Sequence, residues 1–265
     1  MLLDYERLGW LRVALLGVTA LVAAFLLLPV VFTVLLSFGS SRWLAFPPPG
    51  WTLKWYRELF ADPAWLEAAL TSARIATMTA ILAVVIGLVA SFALVRGQFR
   101  GREILRGLLL TPMVLPVVVF AIAIYAFFLR LGLGGTTIGF VIAHTVLALP
   151  FAIIPIATAL EGFDKSIENA AIVCGASPLE AKLRITLPSI RIGIFSAAIF
   201  SFASWDEVVV AIFMASPTLQ TLPVKIWGSL RSDLSPVIAA ASSLLVGLTL
   251  ALMVVTALLR RKFQT

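Results

Sequence analysis

The amino-acid sequence predicts an all-α, polytopic membrane protein with six transmembrane helices. Hydrophobic residues make up 61% of its 265 positions and charged residues 12%, whereas soluble domains average about 45–50% and about 25%. The mean hydropathy of +1.08 corresponds to more apolar surface than a soluble core of this length could bury. Lipid must therefore solvate most of the chain.

Six apolar windows are long enough to cross the roughly 30 Å of hydrocarbon in a bilayer. They cover residues 13–36, 71–95, 107–129, 138–160, 192–214 and 237–259. Within these windows only Arg74, Asp206 and Glu207 are charged, and every other charged residue lies between the windows or at the ends of the chain. This segregation predicts a single transmembrane domain over residues 1–265, without a separate soluble domain.

Lysine and arginine residues determine the predicted orientation, because they collect on the cytoplasmic side of a membrane protein. Thirteen of them lie on one side of the six windows and six on the other. The richer side contains Arg7, Arg12, Arg96, Arg100, Arg102, Arg106, Lys165, Lys182, Arg184, Arg191, Arg260, Arg261 and Lys262. Since the number of spans is even, both termini are predicted to be cytoplasmic.

The composition also excludes several classes of protein. The basic residues fall between apolar runs and form no basic polar surface, so we expect no nucleic-acid binding. Cys174 and His144 are each the single residue of their type, which is too few for a disulfide framework or a structural zinc site. No Gly-Lys pair occurs, and the chain therefore lacks a Walker A loop. We expect a chain that is not an enzyme and that binds no cofactor or metal itself.

Two outer segments carry local structural signals. After the first window, residues 47–50 read PPPG, an extended break, and WTLKWYRELF follows as an amphipathic, aromatic helix typical of a membrane surface. Asp62 and Pro63 can cap a second short helix. Residues 215–236 form the other long outer segment, with proline near both ends.

The longest inner segment, residues 161–191, predicts two short helices joined by a glycine corner. Asp164 or Ser166 can cap the first helix, and Gly175 suits its left-handed end. Ser177 and Pro178 are typical of the cap and the first position of a second helix. The first helix carries a stripe at i, i+3, i+4 and i+7 formed by Ile167, Ala170, Ala171 and Cys174. Such a small-residue face can enter a groove of a soluble partner, although an ordinary helical hairpin has the same pattern.

This inner segment resembles the EAA loop found in permease subunits of binding-protein-dependent ABC importers. In that pattern Glu-Ala-Ala is followed after three residues by glycine and after nine more by Ile-x-Leu-Pro. The residues that match at these spacings are Ala170, Ala171, Gly175, Ile185, Leu187 and Pro188. The glutamate position of the pattern is Asn169 here, and Glu168 lies one residue earlier. Either side chain is therefore a candidate for the polar contact with an ATPase that the resemblance implies.

The resemblance extends over nearly the whole chain. The segments SFASWDEVVVAIFM and TLQTLPVKIWGSLRSDLSPVIAAASSLL are similar to permeases of the spermidine/putrescine type in particular. The resemblance implies a type I ABC importer permease fold in the bacterial inner membrane, with the loop at 161–191 docking on the ATPase. The implied partners are a second, homologous permease subunit, a dimer of ATPase subunits that binds ATP and magnesium, and a periplasmic solute-binding protein.

Two carboxylates, Asp206 and Glu207, interrupt the fifth window, where an acidic residue near the centre costs roughly 2.5–3.5 kcal/mol. In a regular helix they would lie about 5 and 6 Å outside its midpoint, one lining a pathway and the other paired. His144 would lie at a similar depth, either contacting one of these carboxylates or bonding as a neutral imidazole to nearby main chain. Trp205 and Tyr125 are further pathway candidates, because aromatic rings stack on cationic solutes.

The carboxylates favour a cationic solute, since no arginine lies deep in a window to receive an anion. Together with the resemblance, this predicts import of a polyamine or a related amine, and an opine or amino-acid derivative is the alternative solute. A hypothesis of another class is a proton-coupled carrier or channel that uses Asp206, Glu207 and His144 as a relay. That hypothesis leaves the inner loop without a role.

Overall fold

The computed structural model of the chain describes residues 9–204, 207–232 and 235–264. The helices in these ranges are α1 (Gly9–Ser37), α2 (Lys54–Ala61), α3 (Pro63–Arg96), α4 (Arg102–Leu110), α5 (Val117–Arg130), α6 (Thr137–Glu161), α7 (Lys165–Val173), α8 (Pro178–Ala181), α9 (Leu187–Ser189), α10 (Arg191–Ala203), α11 (Val208–Met214), α12 (Leu222–Ser232) and α13 (Pro236–Gln264). A 3-10 turn covers Thr111–Met113, and a π-helical turn covers Lys182–Thr186. The all-α prediction is confirmed.

Four of the six predicted spans are single helices that are long and apolar enough to cross a membrane. These are α1, α3, α6 and α13, which contain the windows 13–36, 71–95, 138–160 and 237–259. Helix α3 begins at Pro63 and runs for 34 residues. The short helix expected after Asp62 is therefore the first part of α3 and not a separate element.

The third and fifth windows are not continuous helices, in contrast to the regular geometry assumed from the sequence. Pro112 and Pro116 lack the N–H that a helix interior requires, and the chain bends by 103° between Arg102–Met113 and Val117–Arg130. The fifth window divides into α10 and α11, and a second bend of 71° separates Pro178–Ser189 from α10. Counting each bent pair as one span gives up to six spans.

The described residues pack as two compact units, one within Met1–Asp62 and Gly228–Leu248, the other within Pro63–Trp227 and Thr249–Thr265. In the second unit, α6 packs against α3 and α10 through small residues. A Cβ added to Gly87 would lie 2.8 Å from the Ala152 Cβ, and one added to Gly193 would lie 2.5 Å from the Ala159 Cβ. Such close approach of small residues is how membrane helices gain packing energy.

The same unit has a second apolar cluster, built by α5, α6 and α11 around the fully buried Phe140, Val210 and Met214. At the other end of these helices, Arg96 at the end of α3 contacts the end of α6. Its Nη2 donates to the carbonyl oxygens of Leu160 and Phe163 at 3.4 and 3.3 Å. The Leu160 carbonyl also accepts from the Phe163 amide at 3.4 Å, so Arg96 adds a charged donor to carbonyls where the helix ends.

Hydrogen bonds around α2 join the parts of the first unit, and α2 itself confirms the helix expected in WTLKWYRELF. The indole Nε1 of Trp55 donates to the Gly39 carbonyl oxygen at 2.6 Å. The hydroxyl of Tyr56 lies 2.7 Å from Ser37 Oγ and 2.7 Å from Ser243 Oγ. This one phenol therefore joins α1, α2 and α13.

Candidate functional site

The first helix of the inner loop, α7, begins where the sequence predicts. Asp164 is its N-cap and accepts hydrogen bonds from the Ser166 amide at 2.9 Å and the Ser166 hydroxyl at 2.7 Å. These bonds favour the charged carboxylate and hold the pKa of Asp164 below its ordinary value. Gly175 follows the helix with φ of +97°, the left-handed conformation expected of it.

The second half of the loop is more complex than the sequence predicts. Ser177 caps it by accepting from the Glu180 amide at 3.2 Å, as expected. After Ala181, however, the helix widens into the π-helical turn Lys182–Thr186 and continues to Ser189. Pro188 therefore lies inside helical structure and does not follow its end. A proline near the start of a helical segment is tolerated, because its missing N–H would have no partner there.

The inner loop has exposed apolar side chains around its glycine corner. Val173 at the end of α7 is 88% exposed and Leu179 is 67% exposed. Cys174, Gly175 and Ala170 beside them are also exposed. Exposed apolar side chains that lie close together are one feature of protein contact surfaces.

The two candidates for a polar contact have different environments. Glu168 is only 6% exposed, and its Oε2 accepts a 2.8 Å hydrogen bond from the Thr186 hydroxyl. Asn169 is exposed. Of the matching motif residues farther along, Ile185 and Leu187 are half-buried, and Pro188 is exposed. Asn169 is thus the side chain that can reach a partner, whereas Glu168 is engaged within the loop.

A cavity of about 420 Å³ lies in the second unit, beside the bend in the third window and the interruption between α10 and α11 in the fifth. Its lining residues are Pro112, Met113, Leu115, Val117, Leu147, Phe151, Ala203, Ser204 and Glu207. Helix α5 has 14 residues and rises about 21 Å, less than the roughly 30 Å of hydrocarbon. A span that contains α5 therefore also includes the irregular backbone beside it, and at hydrocarbon depth such backbone is tolerated only against protein or a water-filled cavity.

Glu207 is the charged residue that lines this cavity among the described residues. It is the N-cap of α11, and its Oε1 accepts from the Val209 amide at 2.8 Å. The estimate of its depth from a regular helix does not hold, because the helix is broken between Ala203 and Val208. Asp206 and Trp205, the neighbouring pathway candidates, lie outside the described residues.

His144 is 1% exposed in α6. Its ring stacks on Phe140 with centroids 4.9 Å apart, and its Nδ1 lies 3.2 Å from the Phe140 carbonyl oxygen. The main chain of Glu207 lies beside the ring, but among the described residues Nε2 has no hydrogen-bond partner of normal geometry. The described contacts of His144 are thus to main chain and an aromatic ring.

Tyr125, the remaining pathway candidate, packs in the apolar cluster of α5, α6 and α11. Its ring centroid lies 5.7 Å from that of Phe213. The described residues contain no group of three or more His, Cys, Asp and Glu side chains that could hold a metal ion.

Sequence reasoning missed the two breaks and the side chains that act inside the loop. The breaks follow from the prolines of TPMVLP and the polar run SWDE within otherwise apolar windows. The roles of Thr186 and Arg96 depend on partners 18 and more than 60 residues away. No local pattern contains that information.

Comparison with known proteins identifies the family. Residues 83–264 match the model of the binding-protein-dependent transport system inner membrane component family. The chain is 31% identical to the spermidine/putrescine transport system permease protein PotC of Haemophilus influenzae, covering 91% of this chain and 94% of that protein. It is 34% identical to the putrescine transport system permease protein PotI of Escherichia coli K12, covering 92% and 88%.

A solved structure supports the fold. A chain from a bacterial ABC transporter involved in the import of the acidic polysaccharide alginate matches with a TM-score of 0.74 and 15% identity, over 99% of this chain and 98% of that chain. The match shows the type I permease fold. The chain belongs to the binding-protein-dependent transport system inner membrane component family and is a permease subunit of an ABC importer.

Proposed function

We propose that this chain forms half of the translocation pathway for a polyamine or a related amine and couples to a separate ATPase through residues 164–188. The other half of the pathway comes from a second, homologous permease subunit. A dimer of ATPase subunits binds ATP and magnesium on the cytoplasmic side, where both termini of this chain lie. A periplasmic binding protein delivers the solute, and this chain hydrolyses no ATP itself.

The observation that carries the proposal is the position of the cavity at the two breaks in the membrane helices. Both breaks, near Pro112 and near Ser204, contribute to its lining. Main-chain polar groups freed by a broken helix need water or a polar ligand at that depth. A pathway for a hydrophilic solute supplies both the water and the polar ligand.

The charge of the cavity supports a cationic solute. Glu207 lines it, and no basic residue does among the described lining residues. The Val209 amide fixes Oε1 of this carboxylate, and we assign Oε2 to an ammonium group of the solute. The relatives named for spermidine and putrescine transport point to the same class of solute.

The inner loop supports the docking role. Its exposed side chains Val173 and Leu179 are apolar, and the corner at Gly175 brings the ends of two helices together. An apolar helix end entering a groove is a common mode of recognition. Asn169 supplies an exposed polar group beside them.

The solute proposal is tested by uptake of labelled spermidine into proteoliposomes containing the complete importer and its binding protein. Glu207→Gln keeps an oxygen for the Val209 amide and removes the charge. We expect initial uptake to fall at least about tenfold, equivalent to about 1.4 kcal/mol, because the solute's ammonium loses its counter-charge. Glu103→Gln, an exposed change outside the cavity, is the matched control.

Uptake by Glu207→Gln within twofold of the parent refutes the role of this carboxylate. Binding of the cognate solute-binding protein to an opine or an amino-acid derivative, with no binding of polyamines, overturns the solute class. Uptake that persists without ATP or the ATPase supports the proton-coupled carrier and overturns the importer mechanism.

The docking proposal is tested with Cys174, the single cysteine of the chain, which is exposed on the loop. We expect the ATPase to protect it from a maleimide reagent at least about tenfold in the assembled importer. The control is Ser41→Cys in a Cys174→Ser background, because residue 41 lies in the outer segment after α1. Equal labelling of Cys174 with and without the ATPase contradicts docking at this corner.

A further inference from the structure

We propose that Glu168 is a positioning residue that, through Thr186, transmits movement of the docked ATPase from α7 to the membrane helix α10. This inference rests on the docking role proposed above. It concerns the hydrogen bond between the Thr186 hydroxyl and Glu168 Oε2, at 2.8 Å. The bond joins the two helices of the loop across 18 residues of sequence.

The environment of this bond separates it from the surface polar contacts of the loop. Glu168 is 6% exposed and Thr186 is 0% exposed, although both belong to a loop outside the membrane. By contrast, the ion pair between Arg184 and Glu180, at 3.3 Å, is solvent-exposed, and such pairs contribute little. A hydrogen bond to a carboxylate shielded from water is stronger and shorter than a neutral one.

The backbone around Thr186 is arranged for this bond. Thr186 is the last residue of the π-helical turn Lys182–Thr186, in which the Leu187 amide reaches back to the Lys182 carbonyl. A π-turn holds one more residue than an α-turn and so rotates the side chains that follow it. Such turns are frequent at functional sites. Here the turn places the threonine hydroxyl against α7.

Thr186 is also close to the membrane helix. Only Leu187, Pro188, Ser189 and Ile190 separate it from α10, and the chain bends there by 71°. Ile190 is 2% exposed and belongs to the apolar cluster between α3, α6 and α10. A push on the exposed end of α7 thus reaches α10 through one buried hydrogen bond and one short, packed corner.

Loss of this hydrogen bond should uncouple ATP hydrolysis from solute import. Without the bond, α7 can still bind the ATPase through Val173 and its exposed neighbours, but α7 can move without moving α10. ATP hydrolysis then continues while fewer solute molecules are imported per ATP. A purely structural role predicts parallel loss of assembly, hydrolysis and uptake.

The test compares variants of the complete importer in proteoliposomes, measuring retained ATPase subunit, ATP hydrolysis and labelled spermidine uptake. Thr186→Val removes the hydroxyl while keeping the shape, and Glu168→Ala removes the acceptor. We expect both to retain the ATPase within twofold and to lower uptake per ATP at least about fivefold. Glu168→Gln keeps an acceptor oxygen and should restore the ratio to within twofold of the parent. Glu180→Gln, on the exposed side of the loop, is the control.

The double variant Glu168→Ala with Thr186→Val gives the decisive comparison. Because both changes remove the same bond, its uptake per ATP should match that of the worse single variant. Unchanged uptake per ATP in Thr186→Val, or losses that multiply in the double variant, overturn the proposal. Failure of the unmodified chain to retain any ATPase instead overturns the docking role on which it rests. If Glu168→Ala does not assemble, Thr186→Val and Glu168→Gln still decide the outcome.

Discussion

Gly193 is a point of close approach between α10 and α6, and enlarging it tests the packing of the second unit. An added Cβ would lie 2.5 Å from the Ala159 Cβ and 2.8 Å from the Pro155 carbonyl oxygen. Carbon atoms in contact prefer about 3.5–4.0 Å. Gly193→Ala therefore requires the two helices to separate by about 1 Å.

The expected cost follows from two opposing effects. Overpacking of this kind typically destabilises by about 1–3 kcal/mol, and alanine returns up to about 1 kcal/mol relative to glycine in a helix. One of the two obstructing atoms belongs to the main chain of α6 and cannot rotate away. We therefore expect Gly193→Ala to lower the free energy of unfolding by about 1–2 kcal/mol.

The assay is unfolding of the purified chain by sodium dodecyl sulfate in mixed micelles, followed by circular dichroism. Gly17→Ala is the matched control, because a Cβ there meets nothing within 4 Å and should be neutral or stabilising. Adding Ala159→Gly to Gly193→Ala removes one obstruction and should recover at least about 0.5 kcal/mol. Gly193→Ala with stability equal to or above the parent refutes the close packing.

Three further predictions concern the outer and inner ends of the helices. Tyr56→Phe should lower the free energy of unfolding by about 0.5–1.5 kcal/mol in the same assay. The loss should be near the lower limit, because Ser37 and Ser243 also donate to main-chain carbonyls. A loss above about 3 kcal/mol would show that the tyrosine hydroxyl has another role. Arg96→Gln should speed hydrogen exchange of the amides that end α6, since their carbonyl partners lose a cation; unchanged exchange contradicts the capping. The lowered pKa of Asp164 means that its cap stabilises α7 above about pH 4 and is lost as the carboxylate is protonated. Hydrogen exchange in α7 should therefore rise between pH 5 and pH 3 in the parent relative to Asp164→Asn, and a constant ratio contradicts this.

The features that the sequence predicted well are those that depend on neighbouring residues. Apolar windows locate α1, α3, α6 and α13 because hydrophobic length is a local property. The cap at Asp164 and the corner at Gly175 follow from residues within one turn. Family resemblance then supplied the role of the loop, which physical reasoning alone left open between docking and an ordinary hairpin.

The features that the sequence did not predict depend on distant partners or on a choice between local structures. A proline such as Pro112 can kink a membrane helix or end it, and the surrounding helices decide which. The bond between Glu168 and Thr186 needs a π-turn, which has no sequence signature. Likewise, Asn169 occupies the glutamate position of the motif and Glu168 lies one residue earlier, and only their burial distinguishes them.

The division of the fifth span also has a consequence for how the protein enters the membrane during synthesis. Its sequence carries Asp206 and Glu207, each costing roughly 2.5–3.5 kcal/mol near the centre of an inserting segment, against about 0.3–0.6 kcal/mol gained per large apolar residue. The helix α10 that precedes them packs on α3 and α6, both made earlier in translation. We therefore expect the fifth segment to insert poorly alone and to depend on helices already in the bilayer. Asp206 and Glu207 thus require α3 and α6 to be in place before the fifth segment enters the membrane.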